Sequence, residues 1–474
     1  MGIFANPLTD LLEYEDFSRD FLKGTDPVGM TGCIDSEKVH FMSTFLGEKK
    51  VQLVVTYNEQ RAREIEEDYK LFCSQVYVIP PRDLIFFSAD LQGNAIIAER
   101  MKAFAALYQN EAKVIITTVD ALMSAAVPFE QLMSHVIKLK EGDELDLEKL
   151  KHDLTVMGYE RVGRVEEPGQ FTVHGGIADV YPLTMEVPVR IELWGDEIDT
   201  IRCFEPQSQR SMDQIESVSV FPAAEVIADD TARRRAVGMI KNELESQLAV
   251  FKKAKEPDKA KRLREETNRI LEALGEDVVL EAPDSYISYF YPRTVQLSEY
   301  FDEKNTLVFL DEPMRLKERG DGVQAEFEES MKNRLEQGFL LPGQTALLTP
   351  AKHVLAAFER GQVAALSSLD SRLADFTVVN SYAVNVQNMN TYREGFELLI
   401  KDLTHWKKEK YRIVLLCPSR TRANRIVNQL IEYDLLAYYS EDEDKKINPG
   451  EIMVTYGNLH RGFLYPMLKF AVIT

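Results

Sequence analysis

Residues Gly29-Met30-Thr31-Gly32-Cys33-Ile34-Asp35-Ser36 occupy the eight positions of a phosphate-binding loop, G-x-x-x-x-G-K-[ST], but lack its chemistry. Such a loop needs a second glycine, so that backbone N–H groups can wrap a phosphate, and a lysine to neutralise it. Here those two positions hold Ile34 and Asp35. A β-branched side chain resists the left-handed backbone that glycine tolerates, and an aspartate meets a polyanion with charge of the same sign. Only Gly29 and Ser36 fit the pattern, so an ordinary turn around Gly32 ahead of a helix competes with a decayed nucleotide loop. Nucleotide is not expected to bind under either reading. Elsewhere, no Ser-His-Asp set or H-E-x-x-H stands out among the seven histidines, and no paired-carboxylate spacing stands out either.

The elements that position this loop read as α/β. Between Pro27 and Ala126, short β runs (Val51–Thr56, Val76–Ile79 and Val114–Thr117) alternate with helical stretches. Asn58 is a candidate cap of one helix, and Ile97, Met101, Phe104 and Tyr108 share one face of another. This is a βαβ series, hence a parallel sheet whose ligand crevice lies at the carboxyl ends of the strands. From Val136 to Val220 glycines, prolines and short alternating strands take over, with Gly195-Asp196-Glu197 as a hairpin turn. Two helical arms follow, with stripes Ile240, Leu244, Leu248, Phe251 and Leu263, Ile270, Leu271, Leu274, broken at Glu256-Pro257-Asp258. Their charged residues read as a solvated face. The run Thr306–Glu312 then completes the first sheet. A final αβ block has a capping box at Thr391–Glu394 and strands at 412–416, 451–455 and 468–473, which suggest a small parallel sheet. Glu441–Asp444 reads as a solvated loop, and Tyr286–Pro292 as core or a domain seam.

Composition narrows the function. The 474 residues suffice for three or four domains, and a formal charge of −21 argues against a protein built chiefly to grip a phosphate backbone. A protein partner is the better default. Four scattered cysteines without metal-ligand spacing read as reduced packing residues of a cytoplasmic protein. Met1–Asp20 lacks the basic and apolar regions of a signal peptide, and no run is long and apolar enough to span a membrane. The chain stops at Thr474 on an apolar strand, which leads to the expectation of a piece of a longer protein.

The segments Gly158–Val162, Gly169–Pro182 and Val189–Arg202 resemble the second domain of the excision-repair protein UvrB, and more closely its counterpart in bacterial transcription-repair coupling factors. Gln209-Arg210-Ser211, Leu307–Pro313 and the closing stretches Gly457–Phe463 and Leu468–Thr474 extend the likeness over essentially the whole chain. The resemblance implies an N-terminal UvrB-homology module plus a third domain. Residues 1–132 would be a helicase-like parallel-sheet domain with a degenerate phosphate loop, interrupted by a small α+β insertion at 133–220. Residues 221–370 would complete the first domain with its helical arms, and 371–474 would form a second small α/β domain.

The same resemblance implies the roles. The loop at Gly29, Gly32, Ile34, Asp35 and Ser36 becomes a non-functional relic, and Asp311-Glu312 the remnant of an acidic pair that would hold magnesium, with a structural role at most. No catalytic residue and no metal site is expected, nor any cofactor in this chain. ATP and magnesium would serve motor domains outside it. UvrA would be the partner. The arginines with which UvrB meets UvrA fall here on Arg161, which matches, and on Thr172 and His174, which do not; Arg164 is a candidate substitute. Tyr181 and Phe171 could add aromatic area, although Phe171 also reads as an inward-facing strand residue. The complete protein would also engage RNA polymerase and double-stranded DNA, and a C-terminal domain would mask the insertion. The competing enzyme reading is an active UvrB-like DNA helicase; a third is a structural clamp with a hidden insertion surface.

Overall fold

The computed structural model describes residues 6–48, 51–82, 92–275, 283–370, 376–389, 392, 395–442 and 445–474. Its first sheet is all parallel. The strands are β1 (Val28–Thr31), β2 (Val51–Thr56), β3 (Val76–Ile79), β4 (Val114–Thr118), β5 (Thr306–Asp311), β6 (Val363–Ser367) and β7 (Asn380–Ala383), in the order β7-β1-β6-β5-β2-β4-β3. The central strands are near-continuous apolar runs because both faces are covered. Leu53, Val55 and Ile115 face one core, shared with the helical arms, while Val54, Val114 and Ile116 face another. On that second side lie α1 (Leu12–Lys23), α2 (Asp35–Ser43) and α3 (Glu59–Tyr69). Asn58 caps α3 as expected, accepting the Arg61 N–H at 2.8 Å.

The insertion begins and ends on one antiparallel pair, Ile137–Lys140 against Ser217–Val220, so its chain leaves and re-enters at a single point. Between them a six-stranded sheet runs in the order Ser211–Gln214, Glu197–Phe204, Val189–Trp194, Ile177–Val180, Gln170–His174, Glu160–Arg161. The turn at Gly195 has φ +67°, a conformation glycine adopts without strain. One face of this sheet packs on the helix Leu147–Val156 through Leu150 and Leu154. The other is open.

The helical arms are Asp230–Lys253 and Pro257–Gly275, with Ile240, Leu244, Phe251, Leu263, Ile270 and Leu274 buried. Tyr289, Phe290 and Tyr291 are core residues. The third sheet follows the order Gln387–Asn388, Phe463–Tyr465, Phe470–Ile473, Arg412–Cys417, Ile452–Tyr456, Ala437–Tyr439. Four of these strands are parallel, but Phe463–Tyr465 pairs antiparallel on both sides, so the small sheet is mixed rather than purely parallel. Its residues alternate between two cores. Ile413 and Leu415 face its own helices, while Val414 and Leu416 join the core of α2 and α3. β7 lies beyond residue 370 yet is hydrogen-bonded to β1, so the first sheet draws on chain past that point. The capping box expected at Thr391–Glu394 and the end of the acidic loop at 443–444 fall outside the described residues.

Candidate functional site

The carboxyl ends of β1 and β5 form the floor of a cleft of about 180 Å³, lined by Ile34, Asp35, Lys38, Tyr57, Arg61, Asp311, Glu312, Arg315, Ser368 and Asn388. β1 runs into Gly32, whose φ of +83° turns the chain; a Cβ there would lie 2.0 Å from the Val384 carbonyl oxygen, so only glycine fits. Ile34 then takes an extended conformation, φ −132° and ψ 143°. The positive φ falls one residue later, on Asp35 at +28°. Ile34 therefore does not strain the loop. It straightens it, and the backbone no longer forms a nest of converging N–H groups. The Ile34 N–H is instead taken by Glu37 Oε2 at 3.1 Å, and Ser36 Oγ accepts the Arg461 N–H at 2.9 Å.

A lysine does enter the cleft, one helical turn beyond the vacant position. Lys38 Nζ donates to Asp311 Oδ1 at 2.6 Å and to Glu312 Oε1 at 2.7 Å. Thr56 Oγ1 donates to Asp311 Oδ2 at 2.8 Å, Arg61 Nε approaches the same oxygen at 3.4 Å, and Arg61 Nη2 reaches the Asp35 carbonyl at 2.8 Å. Ser368 gives both its N–H and its hydroxyl to Glu312 Oε1. Burial alone would raise the Asp311 carboxyl, but the Lys38 ammonium and Arg61 outweigh it and hold the group below the usual carboxylate range. Lys38 is likewise pushed down by burial and carried above its ordinary value by the two acids. Two cations and two carboxylates thus satisfy one another where an intact loop would keep them for phosphate and metal. Asp311 and Glu312, the expected remnant of an acidic pair, are both engaged by Lys38 in this structure. Lys38 and Arg61 were not legible from the motif, which has no slot for them. The available signal was a lysine three residues after Asp35, on a helix leaving the crevice.

The insertion sheet holds the second group of candidates. Arg161 is exposed on the edge strand, and the described structure shows no ion pair for it. Thr172 and His174 share the outward side of the neighbouring strand, opposite Asp179 and Ile177. Asp179 is taken by Arg190, with two bonds of 2.8 Å. Arg164 is exposed but engaged, donating to the Pro206 and Gln207 carbonyls and pairing with Glu166 at 3.2 Å. Phe171 and Tyr181 do not belong to this surface. Phe171 is fully buried beneath the sheet; Tyr181 packs against Val165 and Phe204 and donates its hydroxyl to the Glu186 carbonyl. The expectation that they offer contact area is corrected by burial. Trp194, 84% exposed at the hairpin, and Ile177, 41% exposed, supply apolar area on the open face instead.

Among the described residues no cluster of histidine, cysteine or carboxylate side chains could hold a metal ion, and no helix is long and apolar enough to cross a membrane. All four cysteines are free, and three are buried.

Residues 137–225 match the UvrB interaction domain family. Over 99% of its length the chain is 28% identical to the transcription-repair-coupling factor of Bacillus subtilis (strain 168), covering 40% of that protein. It is 27% identical to the factor of Staphylococcus epidermidis over 100% of the chain and 40% of the relative, and 28% identical to that of Staphylococcus haemolyticus over 96% and 38%. The chain thus spans about two-fifths of the length of the curated relatives it matches. The likeness read from the motifs holds: the insertion matches a UvrB interaction domain, and the whole chain is similar to part of a transcription-repair-coupling factor.

Proposed function

We propose that this chain is a non-catalytic adaptor module of transcription-coupled nucleotide-excision repair, which recruits UvrA to DNA lesions at which RNA polymerase has stalled. The observation that carries the reading is the insertion sheet, which matches the UvrB interaction domain, presents Thr172 and His174 on its outward side and leaves Arg161 exposed on the edge strand. A guanidinium offers forked, charge-assisted bonds, and exposed Trp194 can supply a packed centre. The loss of catalysis is supported by the ion network of Lys38, Arg61, Asp311 and Glu312, in which both buried cations of the cleft are already paired with carboxylates, leaving Arg315 on Tyr57 at its exposed side. A motor that moves on double-stranded DNA with ATP and magnesium, the polymerase contact and a domain that masks the insertion would lie in the rest of the complete protein.

The test is a binding assay of the chain with purified UvrA, with and without nucleotide. Nucleotide-independent capture by the chain supports the reading. ATP hydrolysis by the isolated chain would instead favour a UvrB-like helicase.

A further inference from the structure

The third sheet sits on the surface of the decayed loop. His40 on α2 stacks on Phe463 with ring centroids 5.1 Å apart, and Phe463, Tyr465, Phe470 and Val472 share one core with Val39, Phe41 and Tyr69. At the centre of this apolar seam are two carboxyl groups with almost no access to water, Glu37 on α2 and Asp68 on α3. Glu37 Oε1 accepts the Tyr465 hydroxyl at 2.7 Å, and that hydroxyl lies 3.0 Å from His40 Nδ1. Asp68 Oδ1 accepts the His460 N–H at 2.6 Å, while Oδ2 is buried with no hydrogen bond. A buried, unpaired carboxylate oxygen is costly when charged and tolerable when protonated.

We propose that the abandoned nucleotide loop and its two flanking helices now serve as the seat of the third αβ unit, and that seating is coupled to proton uptake by Glu37 and Asp68.

The surroundings of both groups favour this. Around Glu37, the Tyr465 hydroxyl, the Ile34 N–H and Lys38 favour the charged form, yet burial outweighs them and raises the group to about 7. Cys33 is its other titratable neighbour on the loop, and Tyr14 and His40 reach it through Tyr465. Around Asp68, burial likewise prevails over the His460 N–H, Ser36, Arg61 and the His460 ring, and raises the group to about 6. Both acids revert toward their ordinary values, 4.5 and 3.8, when the seam opens and water enters. The seated form therefore holds more protons than the open form between those limits. Seating is strongest in acid and weakens as pH rises, by about tenfold per pH unit for each proton released, levelling off above pH 7. Arg461 Nε lies 3.5 Å from Asp35 Oδ2 at the rim.

Amide hydrogen exchange of the full chain from pH 5 to 8.5, corrected for the intrinsic pH dependence of exchange, tests this. Opening of segments 35–43 and 456–465 should rise with pH up to about 7 and then level, while the insertion strands at 189–204 show no such trend. The double variant Glu37→Gln, Asp68→Asn, which mimics the protonated pair, should remove the slope and keep the seam protected at pH 8. The single variant Asp68→Asn should remove only the part contributed by Asp68. A wild-type seam with constant protection across this range would overturn the proposal, as would a folded double variant that keeps the wild-type slope.

Discussion

Lys38 Nζ lies 2.6 Å from Asp311 Oδ1 with both side chains almost completely buried, which makes the cation an internal substitute for whatever an acidic pair at this crevice would otherwise face. Removing it strands two carboxylates. Lys38→Met should destabilise the chain by about 3 kcal/mol in urea unfolding, the lower part of the range for a broken buried pair, because Arg61 and Thr56 remain on Asp311. The pH dependence has a definite sign. Asp311 is held below its ordinary 3.8, so in the wild type its contribution is complete above that value and is lost as pH falls through the lowered one. In Lys38→Met the orphaned carboxylates should titrate higher, so the deficit relative to wild type narrows as the solution is acidified toward pH 4.

Titration with Mg-ATP should give no heat of binding, and micromolar affinity would sink the non-catalytic reading. Asp35→Lys alone should not restore binding. The loop remains extended at Ile34, and Lys38 still engages the acidic pair.

Binding to DNA should be weak and indifferent to damage. With a net charge of −21 the chain releases few counterions, so a gel shift at about 150 mM salt should need more than roughly 10 μM protein. Submicromolar, lesion-selective binding would point to the helicase alternative.

Arg161 and Phe171 sit in register on adjacent strands but should fail in different assays. Arg161→Ala should weaken UvrA binding about ten- to a hundredfold, the worth of a charge-assisted hydrogen bond, and leave the melting temperature unchanged. Arg161→Lys should recover only part, keeping charge without the fork. Phe171→Ala should cost about 3–5 kcal/mol of stability in the insertion, as for a buried ring. If Arg161→Ala binds UvrA like wild type while an unfolding Phe171→Ala variant also binds, the partner surface lies elsewhere. Truncation after residue 370 is not a clean test of the third unit, because it removes β7 from the first sheet and bares the core around Phe41 and Tyr69.

Four strands of the first sheet, β2 to β5, the hairpin at Gly195 and the arm stripes were legible because each is a local pattern of apolar spacing or turn chemistry. What escaped was assembled from distant chain. Asn380–Ala383 carries no apolar alternation, so nothing local marks it as a strand; it is recruited by the free edge of β1. The obstruction expected at Ile34 takes another form, since Ile34 relaxes into extended backbone and the positive φ passes to Asp35. The role of Lys38 depends on Asp311, 273 residues away, and no window around either residue contains the other. On the insertion, alternation placed Thr172 outward and Phe171 inward, and the same alternation along Val189–Trp194 puts Trp194 outward at the end of the hairpin.

The position of β1 between β6 and β7 has a consequence for biosynthesis. Both strands that hydrogen-bond to it are translated more than 300 residues later. At roughly 5 to 20 residues per second, the N-terminal strand waits on the order of a quarter of a minute to a minute with its backbone unpaired, while the insertion, whose pairings are all local, has everything it needs to fold on the ribosome. The nascent chain should therefore pass through a stage in which the partner-binding sheet is complete and the first sheet is not, with residues 28–31 exposed to chaperones or to a neighbouring nascent chain.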